Sequence, residues 1–302
     1  MSLKIFIKDI INTLDKNKIA YNFHGNDKAF IYGICTYTDL KENKIGFYRG
    51  KKISDIPKPN QKNCTLIINK SIEDTYTKDL CNVFFVDDVD LVFCLIGNLL
   101  KKLPDPGIHP SAVVSIKANI DSTVTIGANV SIGNNVTIGK KTIIEAGSVI
   151  NDAIIGSNVH IFPGVKIGSS GLGSHKDKDG RWHHFPHSGK VIIKNNVVIQ
   201  DNAVIARGSL SDTILEDGVV IGPLTWIAHN TKINKNVLVG QSVKIAGSVQ
   251  IDNGAIIWSG ACIKDGTRIG KSSVIGMGSV VVRNVPDSTL FVGNPARLLR
   301  EI

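Results

Sequence analysis

A branched aliphatic residue recurs at every sixth position through most of this chain. The positions form one long series and three shorter ones: Leu215–Val281, Ile108–Ile150, Ile155–Ile167 and Ile193–Ile205. Neither the helical period of 3.6 residues nor the strand period of 2 produces a repeat of six. A fixed short period indicates a solenoid, and six is the period of the hexapeptide parallel β-helix. The sequence therefore predicts a β-solenoid.

Three hexads close one triangular coil in a solenoid of this kind, so residues eighteen apart stack on the same face. The repeated aliphatic residue points inward, while Gly, Asn and Asp fill the positions where the chain turns with positive φ. Stacked coils bury a shared column of Ile and Val, so stability is distributed along the column. We expect the repeated residues to form the core and to carry no chemistry.

The hexads divide the chain of 302 residues into unequal parts. Residues 1–105 lack the repeat and mix strand-like apolar runs with helix-like spacing, which predicts a small α/β domain. The solenoid is expected over residues 106–285, after a cluster of prolines of the kind that marks domain boundaries. A loop inserted at residues 168–192 interrupts it, and residues 286–302 form a C-terminal tail.

The charge and composition argue against several classes of protein. The net charge is +9, but the lysines are scattered, which favours attraction for small anionic substrates over nucleic-acid binding. No apolar run is long enough to span a bilayer, and the first residues lack the features of a signal peptide. The five cysteines show no CxxC spacing, which is typical of reduced, buried thiols. We therefore expect a cytoplasmic protein.

The inserted loop is rich in residue types that bind ligands. It contains Trp182 and four of the eight histidines of the chain, which are His175, His183, His184 and His187. Insertions in solenoids project from one face, often the binding face. Two interpretations follow: the loop contacts the substrate, or it is an arm that packs on a neighbouring subunit.

His229 occupies the third position of its hexad, which projects outward, and Gly247 lies eighteen residues further on, so stacking places its backbone beside the histidine. A histidine that projects from a rigid solenoid face is either a surface residue or a general base. A backbone N–H with no side chain over it can donate to a developing oxyanion. Together they fit acyl transfer to an amine or a hydroxyl group. Zinc is the rival interpretation, but the histidines of the repeats are far apart in coil number and the HHxxH run contains a proline, so no metal site is predicted.

Five stretches resemble one bacterial family in order along the chain: Gly168-SSGLG, Trp182-HHFPHSGKVII, Ile205-ARGSLSDTIL, Ile227-AHN and Ile245-AGSVQI. The chain is similar to the UDP-3-O-acylglucosamine N-acyltransferases of lipid A synthesis, and its N-terminal region is similar to their nucleotide-binding domain. The resemblance implies a left-handed β-helix, a homotrimer and an active site between adjacent subunits. It also implies that His229 is the general base and that Gly247 donates to the oxyanion.

The end of the chain departs from that family. Its VGNPAR run at residues 292–297 resembles the ending of acetyl-CoA-dependent sugar acetyltransferases, and the helices with which the lipid A enzymes engage acyl carrier protein do not follow it. This resemblance implies acetyl-CoA or another short acyl-CoA as the donor, with cofactor contacts from Gly247, Ser259, Gly276 and Arg297. The nucleotide-linked amino sugar is expected to contact Phe47, Trp182, His184 and Asn230.

The positions that would read the substrate also differ. Of the family's uracil-reading residues Phe47 is present, but Gly50 and Ile53 replace the other two, so a UDP-sugar and a dTDP-sugar are both open. Gly266 stands where the family has a further histidine that serves the lipid A substrate or donor. Both departures agree with a different substrate.

The residue that would orient the base is missing as well. The pair Gly222-Pro223 replaces the family's Asp-Asn, which precedes the catalytic histidine and supplies a carboxylate to its imidazole. Asp212, Glu216 or a backbone carbonyl is expected to take over the orientation of His229.

The leading expectation is an N-acetyltransferase that moves an acetyl group from acetyl-CoA to the amine of a nucleotide-linked amino sugar, for O-antigen or another surface polysaccharide. One alternative is a lipid A UDP-3-O-acylglucosamine N-acyltransferase that uses acyl carrier protein. The other is a trimeric scaffold that binds a nucleotide sugar without catalysis, which the substitutions at Gly50 and Gly222-Pro223 favour.

Overall fold

The structure is a computed structural model, and it describes four stretches of the chain: residues 3–50, 52, 63–76 and 81–301. Ile53, one of the substitutions at the uracil-reading positions, lies outside the described residues. The chain divides into two compact units, Met1–Pro104 and Asp105–Ile302. The first unit has an α/β fold, and the second is a parallel β-solenoid, as the hexads predict.

A five-stranded sheet and two helices build the N-terminal unit. In sheet order the strands are Tyr21–His24, Cys81–Val86, Cys64–Asn69, Lys44–Tyr48 and Gly33–Ile34. A two-stranded sheet and the helices complete the unit: Ile5–Phe6 with Phe30–Ile31, the α-helices Ile7–Lys16 and Val89–Leu100, and the 3₁₀ helices Tyr37–Asp39 and Lys70–Thr75. The α-helices bury one stripe each against the sheet, which gives the unit a hydrophobic core of its own.

Three parallel sheets form the faces of the solenoid. The first face contains Gly107–Ile108, Thr125–Ile126, Ile143–Ile144, His160–Ile161, Val198–Ile199, Val220–Ile221, Leu238–Val239, Ile256–Ile257, Val274–Ile275, Thr289–Val292 and Arg297–Glu301, of which the last is antiparallel. The second face contains Val113–Val114, Ser131–Ile132, Val149–Ile150, Lys166–Ser169, Val204–Ala206, Trp226–Ile227, Lys244–Ile245, Cys262–Ile263 and Val280–Val281. The third face contains Asn119–Ile120, Val136–Ile138, Ala153–Ile155, Val191–Ile193, Thr213–Leu215, Lys232–Ile233, Gln250–Ile251 and Arg268–Ile269.

The strand register confirms that residues eighteen apart stack. On the second face Ile227 pairs with Ile245, and Ile245 pairs with Ile263. The inserted loop leaves the solenoid between the second and third faces and contains a short antiparallel hairpin of Ser174–Lys176 and Trp182–His184. The chain re-enters the stack where Ile155 pairs with Ile193.

The repeated aliphatic residues form one continuous buried column, as expected, except in the first coil. Most of the column from Ile126 to Val281 is at most 3% exposed, whereas Ile108 is 54% exposed and Val114 and Ile120 are half-buried. The reason is that only the following coil covers the interior of a terminal coil, while each inner coil is covered from both sides.

The corners between faces use the left-handed region of φ. Residues with positive φ recur there at intervals of six through most of the stack, and nearly all are Asn, Ser or Gly, which adopt this conformation at little cost. Lys141, Asp152 and Leu224 are exceptions, and Leu224 has φ of 59° at the corner that follows Gly222-Pro223. A branched aliphatic residue in this region is strained.

The segment after residue 285 closes the column. The strand Thr289–Val292 adds to the first face beside Val274–Ile275 and forms an antiparallel pair with Arg297–Glu301. Phe291 and Ala296 from this segment are buried in the solenoid core. The VGNPAR run therefore lies in a turn whose flanks pack over the last coil.

Two further observations concern membrane-spanning helices and the cysteines. Within the described ranges no helix is long and apolar enough to cross a membrane. The expectation of five reduced, buried thiols is wrong: Cys64 is disulfide-bonded, Cys94 is exposed, and Cys35 and Cys262 are half-buried. Cys94 is exposed because its helix, Val89–Leu100, turns Val89, Val92 and Ile96 to the interior instead.

Candidate active site

The corner between the second and third faces positions His229. The histidine follows the strand Trp226–Ile227, and the chain turns at Asn230, whose φ is 61°. The Asn230 N–H donates to the hydroxyl of Thr213 in the preceding coil at 3.0 Å. Since asparagine tolerates this left-handed conformation, the sequence Ala-His-Asn fixes the backbone on which the imidazole stands.

The Asn230 side chain is held by two serines. Its oxygen accepts from the backbone N–H of Ser209 at 3.2 Å and from the Ser209 hydroxyl at 2.7 Å. Its nitrogen donates to the carbonyl of Ser211 at 3.0 Å and to the Ser211 hydroxyl at 2.6 Å. A backbone N–H can only donate and a carbonyl can only accept, so these contacts fix which end of the amide is oxygen.

The fixed amide oxygen determines the tautomer of His229. Nδ1 of the imidazole lies 2.9 Å from the Asn230 oxygen, which has no proton to give. Nδ1 must therefore carry the ring proton, and the lone pair is at Nε2. A base with its lone pair at Nε2 is ready to accept a proton from a nucleophile.

The structure differs from what the sequence predicts for the group that orients His229 and for the role of Asn230. Asp212, expected as an orienting carboxylate, accepts a hydrogen bond from the Lys190 N–H at 2.7 Å, and no hydrogen bond joins His229 to Asp212 or Glu216. Asn230, expected to contact the substrate, has both ends of its side chain engaged by the protein. An amide oxygen takes the place of the missing carboxylate.

Gly247 lies against the lone-pair edge of the imidazole. A Cβ built on this glycine would be 2.5 Å from Cε1 and 2.8 Å from Nε2 of His229, which is closer than real Cβ atoms come. The Gly247 carbonyl accepts from Gly266, while its N–H donates to no other residue of the described chain. Gly247 thus lies beside His229, as eighteen-residue stacking predicts, and its N–H makes no hydrogen bond within the described chain.

His187 brings a second imidazole to the corner from the inserted loop. Its ring centroid is 5.5 Å from that of His229, and its Nδ1 lies 2.9 Å from the carbonyl of Phe185. Nε2 is therefore the unprotonated nitrogen, and it is buried without a hydrogen-bond partner among the described residues. Burial lowers the pKa of His187, and the nearby His229 and His184 lower it further, whereas the hydrogen bond to Phe185 opposes the shift.

Gly171, near the start of the loop, lies over both imidazoles. Its built Cβ would be 2.9 Å from Nε2 of His187 and 3.0 Å from Cδ2 of His229. A side chain at this position would collide with both rings. The glycine in the SSGLG run is therefore required by close packing, a constraint that the sequence alone did not reveal.

The loop histidines are only partly gathered at this site. The ring of His184 is nearly parallel to that of His187, with the centroids 5.8 Å apart. Trp182 is 68% exposed and stacks with the Lys176 ammonium at 5.8 Å. His183 contacts the carboxylate of Asp177 at 2.6 Å, and this contact is the main cause of the lowered Asp177 pKa.

Arg207 anchors both ends of the loop. Its backbone N–H donates to Ser169 at 2.9 Å, and its Nε donates to the carbonyl of Gly189 at 2.7 Å. The guanidinium also pairs with Asp152 at 2.5 Å, and both side chains are at least three-quarters buried. These contacts fix the loop ends next to the corner that bears His229.

An apolar cavity of 530 Å³ opens on the second face beside this corner. Its lining residues come from three successive coils: Trp226, Lys244, Ile245, Ala246, Cys262 and Ile263. Ala246 directly precedes Gly247, so the cavity and the oxyanion donor share a stretch of backbone.

The remaining expected cofactor residues lie elsewhere in the solenoid. Ser259 belongs to the corner between the first and second faces, where it packs on Gly240. Gly276 packs against Val292, and Arg297 bonds to the carbonyl of Ala296. Of the four, only Gly247 contacts the histidine.

Phe47, expected to contact the nucleotide, is half-buried and packs against the core of the N-terminal unit. It packs edge-on against Phe93, with the ring centroids 4.4 Å apart.

Across the described stretches, no cluster of three or more His, Cys, Asp or Glu side chains is arranged to hold a metal ion.

Comparison with known proteins identifies related acyltransferases. No family model matches the chain. It is 32% identical over 248 residues to the UDP-3-O-acylglucosamine N-acyltransferase of Hydrogenovibrio crunogenus, an alignment that covers 75% of this chain and 70% of the relative. The enzyme of the same name from Coxiella burnetii is 29% identical over 236 residues, covering 71% and 68% of the two chains.

Solved structures of related proteins have the same solenoid. The UDP-N-acetylglucosamine acyltransferase of Francisella novicida superposes with a TM-score of 0.60 at 27% identity, covering 65% of this chain and 70% of that one. The UDP-N-acetylglucosamine acyltransferase of Bacteroides fragilis gives 0.59 at 27% identity, covering 65% and 74%. These likenesses confirm the left-handed parallel β-helix.

Proposed function

The chain belongs to the family of UDP-3-O-acylglucosamine N-acyltransferases, and we propose that it transfers an acyl group to the amine of UDP-3-O-acylglucosamine. The observation that carries the proposal is the imidazole of His229, oriented by Asn230 with its lone pair toward Gly247, whose N–H donates to no other described residue. This pairing of a base with an oxyanion donor suits attack of an amine on a carbonyl. A uridine nucleotide follows from the named substrate of the relatives.

The expectation of an acetyl-CoA-dependent N-acetyltransferase for O-antigen is wrong. It depended on the VGNPAR run, but the chain covers 70% of a relative named for N-acyl transfer to UDP-3-O-acylglucosamine. The structure gives that run a folding role instead, because Phe291 and Ala296 on either side of the turn complete the core of the last coil.

The donor is then an acyl thioester on acyl carrier protein. The 530 Å³ cavity next to Gly247 supports this choice, because it offers an apolar wall to an acyl chain longer than acetyl. Lys244 at the cavity and the net charge of +9 favour the approach of an anionic carrier.

The reaction needs one base and one oxyanion site. The amine nitrogen attacks the thioester carbonyl, forming the C–N bond, and Nε2 of His229 takes the proton that the nitrogen releases. The carbonyl oxygen becomes an oxyanion that the Gly247 N–H stabilises. As the C–S bond breaks, the imidazolium returns the proton to the leaving sulfur, so the products are an amide and a thiol.

We also propose that the protein assembles as a homotrimer. Three large apolar side chains near the inserted loop are strongly exposed in a single chain: Leu172, Trp182 and Leu210. Exposed apolar groups of this size are typical of a surface that packs on another subunit. The loop then serves both of the roles that the sequence left open.

The test is product formation from UDP-3-O-acylglucosamine with matched 3-hydroxyacyl thioesters of acyl carrier protein and of coenzyme A. We expect turnover with the carrier-protein donor, and loss of roughly 10²- to 10⁴-fold in kcat for His229→Ala. Binding of the nucleotide sugar without turnover of either thioester would favour the non-catalytic scaffold instead.

A further inference from the structure

Asp265 lies at the same corner as His229 and Gly247, one coil beyond the glycine. The position where a Cβ of Gly247 would be is 2.8 Å from Oδ1 of Asp265 and 2.8 Å from Nε2 of His229. Both atoms therefore crowd the bare Cα of Gly247, where no side chain would fit, and they face each other across a gap beside that Cα. Nε2 of His229 and Oδ1 of Asp265 are therefore separated by no more than twice 2.8 Å.

The Asp265 carboxylate makes no hydrogen bond or ion pair with any residue of the described chain, and the residue is exposed. Asp252, by contrast, pairs with Arg268 at 2.5 Å. Asp265 therefore has an oxygen directed at the lone-pair side of His229 and no protein cation to balance it.

The carboxylate is on the wrong side of the ring to orient it. Asn230 already holds Nδ1, while Asp265 lies across the gap from Nε2 and Cε1. The group that enters this gap during the reaction is the nucleophile, because it must reach Nε2 to lose its proton. A nucleophile there would have Nε2 on one side and a carboxylate on the other.

From this geometry we propose that Asp265 is a specificity-determining residue that binds the amine of the acceptor sugar and disfavours a hydroxyl in its place. The inference rests on the proposed function. A free amine arrives largely as an ammonium ion, which donates to the carboxylate and to Nε2 at once. His229 relays one ammonium proton to solvent, which leaves a neutral amine beside an unprotonated Nε2. When that amine attacks, Nε2 takes its second proton, and the carboxylate faces the imidazolium that results. A hydroxyl gains no such charge pairing.

The test compares two ligands across three proteins. The ligands are UDP-3-O-acylglucosamine and its analogue with a 2-hydroxyl in place of the amine, and the proteins are the wild type, Asp265→Asn and the control Asp201→Asn at a corner between the first and second faces. Calorimetry gives Kd for both ligands, and steady-state assays with the acyl carrier protein donor give KM and kcat for the amine. Thermal melting checks that the three proteins are equally folded.

We expect Asp265→Asn to weaken binding of the amine ligand and raise its KM by about tenfold, the effect of one charge pair of about 1.4 kcal/mol. Binding of the hydroxyl analogue is expected to stay within about twofold, and Asp201→Asn to match the wild type. An Asp265→Asn protein that keeps the wild-type preference, or loses both ligands equally, would overturn the inference alone. A folded wild type that neither binds nor turns over the amine ligand would overturn the proposed function.

Discussion

The side-chain oxygen of Asn230 lies 2.9 Å from Nδ1 of His229, and two serines fix the amide so that it is the oxygen that faces the ring. An amide does here what a carboxylate does in many histidine bases: it selects the tautomer. It carries no charge, however, so it stabilises the imidazolium less strongly. That leaves a role for the charge of Asp265 on the opposite edge.

Replacing Asn230 with alanine is expected to lower kcat by roughly 10²-fold, because the imidazole loses the partner that keeps Nδ1 protonated. KM for the sugar should change little, since the amide is engaged by the protein. Asn236→Ala is the control, because Asn236 has the same left-handed φ at the next corner, 56° against 61°. If both variants lose activity equally, corner strain is the cause and the tautomer argument is wrong.

Gly247→Ala is expected to reduce kcat by at least about 10²-fold, because the new methyl group would overlap Cε1 and Nε2 of His229 and fill the nucleophile gap. Thermal stability should fall only slightly, since the imidazole can rotate away. Gly97→Ala is the comparison, as a Cβ there meets nothing within 4 Å. Full activity of Gly247→Ala would show that the amine does not enter between His229 and Asp265.

Leu224→Asn is expected to stabilise the protein by about 1 kcal/mol, because asparagine relieves the left-handed strain of the leucine. The backbone bond from its N–H to the carbonyl of Asp201 should be kept. Urea unfolding measures the change. The matched variant is Leu103→Asn, an exposed leucine without positive φ, which should shift the midpoint little. Equal shifts would point to removal of exposed apolar surface and not to backbone strain.

The lowered pKa of His187 predicts a loss of stability in acid. Its pKa lies below the ordinary value of 6.5 because burial disfavours the charged ring, so the unfolded chain binds this proton more readily than the folded one. The contribution of His187 is complete above about pH 6.5 and declines as the pH falls below that value. NMR titration of the ring, with His187→Gln as the comparison for unfolding at each pH, measures it. A titration midpoint at or above 6.5 would contradict the burial argument.

The sequence contained enough to place His229 and Gly247 together, because eighteen-residue stacking turns spacing into proximity. The same arithmetic, carried one coil further, would have found Asp265. It could not find His187, since a loop that leaves the solenoid obeys no repeat and is positioned by Arg207 through contacts with Ser169, Gly189 and Asp152.

The role of Asn230 was missed for a different reason. Its left-handed φ turns the side chain from the solvent toward the neighbouring serines and the imidazole, and a residue name does not give that direction. The VGNPAR run gave a wrong prediction of the acyl donor. A segment that covers the last coil of the solenoid is constrained by packing, whatever donor the enzyme uses.

Because the coils stack, the coil in which a residue lies decides whether that residue reaches the active site. The charge beside the base can therefore be changed without substituting any residue. Removing residues 248–265 would delete one whole coil and leave every inward position in register. The corner above Gly247 would then be occupied by Arg283, which stands eighteen residues beyond Asp265. A single in-frame deletion would thus replace an anion facing the nucleophile with a cation, so in a protein built this way length changes act as specificity changes.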